Sequence, residues 1–176
     1  MDREQFDHVL RAAAAVLDAS ELIVIGSQAV HATLASSLPV AAARSVEVDV
    51  VPLDDVDGSK ADLVDGVIGE ASMFHDSFGI YAQGVAETTA VLPDGWRDRL
   101  VRYESIAVPG VVAWCLELGD LWISKAIAGR RKDQEFCRAM LELGVVDVDG
   151  LAARLSGMPG LDSAVGTRVL GWLGIG

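Results

Sequence analysis

The first stretch of the chain has apolar residues at the three- and four-residue spacing of one helix face. These positions are Phe6, Val9, Leu10, Ala13, Ala14 and Leu17. Asp2 and Gln5 stand three residues apart, as the two members of a capping box do, so the pattern predicts a helix over residues 3–19. A second helix is expected over residues 27–37, because Pro39 cannot continue it.

Two segments have the pattern of β-strands. Residues 22–25 read Leu-Ile-Val-Ile and end at Gly26, which predicts a buried strand that stops at a tight turn. In the next segment Val46, Val48 and Val50 alternate with Ser45, Glu47 and Asp49. Successive side chains of a strand point to opposite faces, so the carboxylates of Glu47 and Asp49 are expected on the same face.

The remaining sequence predicts further strands and then mainly helices. Ser59 and Asp62 have the spacing of a helix cap, and Asp120 is expected to cap a helix that runs through Lys125 to about Gly129. Strands are predicted at residues 78–85, 88–92, 105–108 and 111–116. Amphipathic helices are predicted at residues 133–143, 150–155 and 161–173.

This order of elements predicts an α+β protein in which a small mixed β-sheet packs on helices and a helical portion follows at the C-terminal end. A chain of 176 residues has the length of one domain. We therefore expect a single domain over residues 1–176, with its core at about 20–116 and the helical portion at about 120–176.

Composition narrows the class of protein. An apolar fraction of 51% with 23% charged residues is typical of a folded chain. The longest apolar region, residues 108–129, is interrupted by Glu117, Asp120 and Lys125, so no membrane span is predicted. Cys115 and Cys137 are too few for a disulfide framework, which favours free thiols and a cytoplasmic location.

The charge of the chain bears on its partners. A formal net charge of -12 argues against broad binding of nucleic acid, because affinity for polyanions comes largely from Lys and Arg. The dense basic cluster is Arg130-Arg131-Lys132, and Arg97, Arg99 and Arg102 form a looser second one. Contact with a polyanion would therefore need one of these local patches.

The candidate chemistry lies in two adjacent segments. Gly26-Ser27 follows a strand and begins a predicted helix, where glycine permits close backbone approach and free amide groups can bind phosphate. Glu47 and Asp49 supply two carboxylates on one strand face, a suitable ligand set for Mg²⁺ or Mn²⁺. Phosphoryl transfer needs both a phosphate seat and metal ions that hold the attacking and leaving oxygens in line.

With these residues, Gly26-Ser27 and then Arg44-Ser45-Val46-Glu47-Val48-Asp49, the sequence resembles the nucleotidyltransferase superfamily. Within that superfamily it resembles the small bacterial toxin-like enzymes related to the AbiEii and MenT groups. Arg44 directly precedes Ser45, which departs from the usual spacing of that arginine. The resemblance implies a minimal nucleotidyltransferase fold that binds a nucleoside triphosphate through Gly26 and Ser27 and metal through Glu47 and Asp49.

The resemblance continues into the segment from Asp120 to Asp133, which most resembles a family of uncharacterised nucleotidyltransferase-like proteins, and it covers roughly residues 20–140. It implies that Lys125 contacts the nucleotide phosphates. It also implies that Asp133 positions Lys125 or assists deprotonation of the acceptor hydroxyl. The acceptor implied is the end of a tRNA, and the implied role is that of a toxin paired with an antitoxin protein.

Two alternatives remain open from the sequence. The chain is either an active enzyme or a catalytically inactive relative that serves as a nucleotide-binding or protein-interaction module, a hypothesis favoured by the acidic charge and by Glu rather than Asp at position 47. If the chain is active, a protein or an aminoglycoside-like small molecule is an acceptor that suits the acidic surface better than RNA does. Lys125 also has a structural alternative, in which it extends from an apolar helix to solvent.

Overall fold

The computed structural model describes residues 1–34 and 38–174, without the side chain of residue 41. In the described ranges the strands are β1 (Glu21–Val24), β2 (Glu47–Val51), β3 (Tyr81–Gly84), β4 (Val101–Tyr103) and β5 (Val112–Cys115). The helices are α1 (Arg3–Leu17), α2 (Val40–Arg44), α3 (Ser59–Ile68), α4 (Met73–Phe78), α5 (Leu118–Ala128), α6 (Arg131–Glu142), α7 (Val148–Ser156) and α8 (Ser163–Trp172). Short 3₁₀ helices lie at Ser27–Ala32, Glu87–Thr89 and Trp96–Arg99.

The five strands form one mixed sheet in the order β3-β2-β1-β5-β4. β1 is antiparallel to β2 and parallel to β5, while β2 is parallel to β3 and β4 is antiparallel to β5. Helices pack on this sheet, and the last four helices form the C-terminal portion. The predicted α+β class, with a small mixed sheet and a helical C-terminal portion, is confirmed.

A continuous apolar core joins the sheet to the helices. All of β1 except its first residue is buried, as the continuous apolar run predicts. Trp122 of α5 is fully buried, and its indole N–H donates to the carbonyl oxygen of Cys137 on α6 at 3.0 Å. Both cysteines are buried free thiols, as expected. None of the described helices has the length and apolarity needed to cross a membrane.

Two predicted strands were wrong. Residues 88–92 contain the end of a 3₁₀ turn and irregular chain, and β4, which was not predicted, takes the position beside β5. Residues 105–108 form a turn in which the amide of Val108 donates to the carbonyl of Ser105 at 3.0 Å. The Ser105 hydroxyl donates to the buried Asp7 at 2.6 Å, which fixes this segment outside the sheet. In these segments tertiary contacts therefore outweighed the local preference for a β-strand.

Other differences concern helices. The helix expected over residues 27–37 is a 3₁₀ helix that ends at Ala32, and the last three predicted positions lie outside the described residues. The short helices α2 and α4 were not predicted, and Phe78, expected to begin a strand, ends α4. Short helices with few apolar positions leave little periodicity to detect.

The predicted caps were also displaced. The amides at the start of α3 are capped by the preceding acidic loop: Asp55 accepts from the amides of Lys60 and Ala61, each at 2.9 Å. Ser59 is itself the first residue of that helix. α5 is capped by Glu117, which accepts from the amide of Asp120 at 3.2 Å. Acidic residues upstream of each helix perform the capping that was predicted for the first-turn residues.

Candidate active site

The loop after β1 and the middle of β2 approach each other very closely. The amide of Ile25 donates to the carbonyl oxygen of Asp49 at 3.2 Å, which continues the pairing of the two antiparallel strands. A Cβ atom placed on Gly26 would lie 1.6 Å from Oδ2 of Asp49. Only glycine leaves room for the Asp49 carboxylate to lie against the backbone at this turn. The Gly26 position is thus coupled to the side chain of Asp49.

Glu47 and Asp49 form a close carboxylate pair on β2. Burial, and then the neighbouring Glu47, raise the pKa of Asp49 to about 7, against the opposing effects of Lys125 and Lys132. Two carboxylates that share a partly buried site repel each other when both are ionised. A positive charge between them would relieve this repulsion and favour the ionised form of both.

The neighbouring strand β3 contributes two polar residues that the sequence reading did not select. β3 is parallel to β2, with Tyr81 opposite Glu47 and Gln83 opposite Asp49. The Tyr81 hydroxyl donates to Oε2 of Glu47 at 3.1 Å. Burial and the Glu47 charge raise the pKa of Tyr81 to about 12, so this hydroxyl stays protonated near neutral pH and acts as a hydrogen-bond donor.

Basic residues face the carboxylate pair from α5, α6 and the turn between them. Gly129 ends α5 with φ +67, a left-handed conformation that glycine adopts without strain. The turn places Lys125 at the end of α5 and Arg130 just before α6 near the same buried carboxylate, Asp133. Arg130 Nε donates to Asp133 Oδ2 at 2.6 Å, and Lys125 Nζ lies 3.7 Å from Asp133 Oδ1.

These elements enclose a cavity of about 520 Å³, called here the main cavity. It is lined by Ile25, Gly26, Glu47, Asp49, Gln83, Val85, Thr89, Ala90, Val91, Ser124, Lys125, Ile127, Ala128, Arg130 and Lys132. Two carboxylates therefore face three cationic side chains, with an apolar wall beside them. A site of this kind suits a polyanionic ligand that carries an apolar group.

The chain matches, over residues 4–160, a protein family described as nucleotidyltransferase of unknown function (DUF6036). The chain belongs to this family. Searches of curated proteins and of solved structures found no match. Membership of a nucleotidyltransferase family agrees with the superfamily resemblance seen in the Gly-Ser and Glu-x-Asp segments. Family membership supports assignment of the protein to the transferases as a broad enzyme class.

The main cavity brings together four of the six residues selected from the sequence. Gly26, Glu47, Asp49 and Lys125 all line it. Ser27 is next to Gly26 but is not among the lining residues, and its hydroxyl lies 3.4 Å from Nε2 of Gln28.

The sixth selected residue, Asp133, lies behind the cavity wall. Its side chain is 2% exposed, and it pairs with Arg130 and Lys125. A carboxylate held in this way is suited to positioning the two cations. The basic residues Arg130 and Lys132 were seen in the sequence only as part of a charged cluster, since nothing local indicates that the turn at Gly129 directs them to Asp49.

The donor set fits a hydrated magnesium ion that is completed by substrate. In the described ranges no group of three or more His, Cys, Asp or Glu side chains could hold a metal ion. Mg²⁺ is commonly bound by one or two carboxylates together with water and substrate phosphates. Glu47 and Asp49 meet that requirement, and their close approach leaves negative charge that a divalent cation would neutralise.

Other acidic and histidine residues have structural partners. Asp55 caps α3, and Asp57 accepts from the hydroxyl of Ser59 at 2.7 Å. Glu87 forms an ion pair with Arg97. His31 stacks on Phe6 with ring centroids 4.7 Å apart and is 2% exposed. These contacts favour structural roles for these side chains.

Proposed function

We propose that this protein is a metal-dependent nucleotidyltransferase that moves a nucleoside monophosphate from a nucleoside triphosphate to an acceptor hydroxyl. The observation that carries the proposal is the main cavity, where the Glu47–Asp49 pair faces Lys125, Arg130 and Lys132. The contact between Gly26 and Asp49 supports it, because it holds a carboxylate beside a backbone turn that has no side chain of its own.

Each residue has a role in this proposal. Glu47 and Asp49 would bind Mg²⁺ or Mn²⁺, and Gly26 and Ser27 would seat the phosphates. Lys125 would neutralise charge on the triphosphate, and Asp133 would hold Lys125 in position. The 3.7 Å separation between Lys125 Nζ and Asp133 Oδ1 supports this arrangement, because it leaves the ammonium group close to Asp133 while Lys125 lines the cavity.

The reaction would proceed by in-line displacement at the α-phosphorus. When bound, the metal would polarise phosphate oxygens and neutralise charge as the transition state forms. The bond from the acceptor oxygen to the α-phosphorus forms while the bond from the α-phosphorus to the bridging oxygen of the β-phosphate breaks. Pyrophosphate leaves toward the cationic side chains, and the acceptor proton passes to a carboxylate or to water.

The resemblance to the AbiEii- and MenT-related enzymes favours the end of a tRNA as the acceptor and a toxin role with a protein antitoxin. The net charge of -12 favours a protein or a small molecule instead. A catalytically inactive module that binds a nucleotide or a protein is the competing function.

The proposal is tested by incubating purified protein with each α-labelled nucleoside triphosphate, Mg²⁺ and a mixture of RNA and protein acceptors. Asp49→Asn is the test variant, and Asp62→Asn is a matched control because Asp62 is exposed on α3 and outside the main cavity. We expect magnesium-dependent nucleotide binding and label transfer for the wild type and Asp62→Asn, and loss of transfer for Asp49→Asn. Magnesium-dependent binding without transfer to any acceptor would instead favour the inactive module.

A further inference from the structure

A second cavity of about 420 Å³ adjoins the main cavity at Glu47. Glu47 and Lys132 line both cavities, so they stand at the boundary between the two. The second cavity extends from this boundary between α2, the start of β2 and the outer face of α6. Asp49, Lys125 and Arg130 line only the main cavity.

In-line displacement requires the acceptor and the leaving pyrophosphate to lie on opposite sides of the reacting phosphorus. A triphosphate seated in the main cavity would have its α-phosphorus near Glu47 and Asp49. The acceptor would then approach from the side that the main cavity leaves open. The second cavity reaches the same Glu47 side chain and is lined there by Tyr81, whereas Lys125 and Arg130 line only the main cavity.

The two cavities differ in the charges that line them, and this difference indicates which substrate each would bind. The main cavity has three cationic side chains against its two carboxylates, whereas the second has two, Arg44 and Lys132, against the two carboxylates Glu47 and Glu135. A lining with balanced charge gives little attraction for a phosphate backbone, which depends on an excess of Lys and Arg. The triphosphate therefore belongs in the main cavity, and the second cavity suits an acceptor without phosphate groups.

The wall of the second cavity is partly apolar and open to solvent. Val40 is 61% exposed and Val46 is 43% exposed. Ala139 of α6 continues this wall. Exposed aliphatic side chains beside a reaction centre suit a partner that brings its own apolar side chains.

Tyr81 brings a hydroxyl to Glu47 beside the second cavity. Tyr81 is among the residues that line this cavity, and its hydroxyl donates to Oε2 of Glu47 at 3.1 Å. A hydroxyl that donates to Glu47 is therefore accommodated at the boundary between the two cavities.

From these observations we propose that the second cavity is the acceptor site, and that the acceptor is the hydroxyl of a Ser, Thr or Tyr side chain in a polypeptide with aliphatic neighbours. This inference rests on the proposed nucleotidyl transfer. The acceptor oxygen forms a bond to the α-phosphorus, the bond to the β-phosphate oxygen breaks, and pyrophosphate leaves into the main cavity. The hydroxyl proton passes to water, since Glu47 and Asp49 are the proposed metal ligands. The product is a nucleotidylated polypeptide.

The experiment uses the whole chain with α-labelled nucleoside triphosphate, Mg²⁺ and a randomised peptide library in which each peptide carries one Ser, Thr or Tyr. Total RNA is supplied in a parallel reaction. Binding of the nucleoside triphosphate is measured separately by titration. We expect label in peptides, with enrichment of those that have Val, Ile or Leu beside the hydroxyl.

Val46→Glu tests the site because it replaces part of the apolar wall by a charge without touching the main cavity. Val67→Glu is the matched control, since Val67 lies on α3 and is 47% exposed. We expect Val46→Glu to lower kcat/KM for the best peptide by about tenfold or more, the scale of lost apolar contact in a specificity pocket. Its nucleotide affinity and the behaviour of Val67→Glu should match the wild type. Val40→Glu provides a second test in the same wall if Val46→Glu fails to fold.

The outcomes separate the acceptor site from the proposed function. Label in RNA and none in peptides would overturn the acceptor inference and leave nucleotidyl transfer standing. Magnesium-dependent nucleotide binding without label in either acceptor would also overturn it. Wild-type kcat/KM for the best peptide in both Val46→Glu and Val40→Glu would overturn the assignment of the second cavity as the acceptor site. Absence of magnesium-dependent nucleotide binding would overturn the proposed function itself.

Discussion

Two clusters of acidic and basic side chains lie at opposite ends of α5, and they differ in how their carboxylates are neutralised. At the start of α5, the fully buried Asp120 pairs with Arg99 at 2.8 Å and with Arg154 at 2.9 Å. At the end of α5, Lys125 and Arg130 pair with Asp133. Among the described residues, no basic side chain forms an ion pair with Asp49, which lies across the cavity.

This comparison distinguishes a carboxylate that is paired within the chain from one that we propose as a metal ligand. Asp120 and its arginines join α5 to α7 and to the turn at Trp96–Arg99, so their charges are satisfied within the chain. Asp49 is partly buried beside Glu47, and burial and that neighbour raise its pKa. An unpaired carboxylate in such surroundings is costly for stability, and functional sites are where such costs are commonly found.

The largest expected effect is on activity. Asp49→Asn should lower nucleotidyl transfer by roughly 10³-fold or more, the upper scale for loss of one charge-stabilising group. Its free energy of unfolding should stay within about 1 kcal/mol of the wild type or rise, because the change removes a repulsive carboxylate. Urea denaturation and label transfer, measured on the same preparation, check both parts. A strong loss of stability would place Asp49 with Asp120 among the structural carboxylates.

The second prediction concerns Asp120 at the start of α5, where the expected loss is in stability. Asp120→Asn should lower the free energy of unfolding by about 3 kcal/mol, because Arg99 loses its ion-pair partner and Arg154 keeps only its ion pair with Glu117. Arg99 is 29% and Arg154 is 30% exposed at the side chain, so solvent moderates the effect. Denaturation in urea, with the exposed Asp62→Asn as control, measures the change. A loss below that of the control would show that the network contributes little.

Gly26→Ala tests the contact that holds Asp49 in the main cavity. The new Cβ would lie 1.6 Å from Asp49 Oδ2, so the carboxylate must move, and transfer should fall by about 10²-fold. Gly66→Ala is the control, because a Cβ at that helical position meets no atom within 4 Å. The control should keep activity and gain up to about 1 kcal/mol in helix stability. Label transfer and thermal unfolding of both variants measure these effects, and full activity of Gly26→Ala would contradict the role of the contact.

The smallest expected effect concerns His31, a buried ionisable group that is kept neutral rather than paired with an opposite charge. Burial and then Arg3 lower the pKa of His31 from its ordinary 6.5 to about 4. As the pH falls through 6.5, His31 binds a proton in the unfolded chain. In the folded chain it binds that proton only near pH 4, so the free energy of unfolding decreases between these two pH values. The slope approaches about 1.4 kcal/mol per pH unit.

The measurement is the difference in free energy of unfolding between the wild type and His31→Gln at pH 7.5, 5.5 and 4.5. The difference isolates His31 from the carboxylates that titrate in the same range. It should shift in favour of His31→Gln as the pH is lowered. A constant difference would mean that the pKa of His31 is the same in the folded and unfolded chain.

The sequence predicted the parts of the site that depend on local pattern. Alternation along β2 placed Glu47 and Asp49 on one face, and the continuous apolar run of β1 located Gly26 at its end. Both carboxylates and Gly26 line the main cavity. Tyr81 and Gln83 were missed, since their strand lies more than 30 residues away and pairs with β2 only in the sheet.

The sequence by itself determined the type of fold, the strand that carries the carboxylates, the glycine beside them and the lysine on α5. These features follow from periodicity, turn chemistry and motif, which act within a few residues. Tertiary structure alone decided that Asp120 is neutralised while Asp49 is not, and that the turn at Gly129 directs Arg130 and Lys132 to the carboxylate pair. The reason is that charge pairing depends on distances between elements far apart in the chain, and only packing sets those distances.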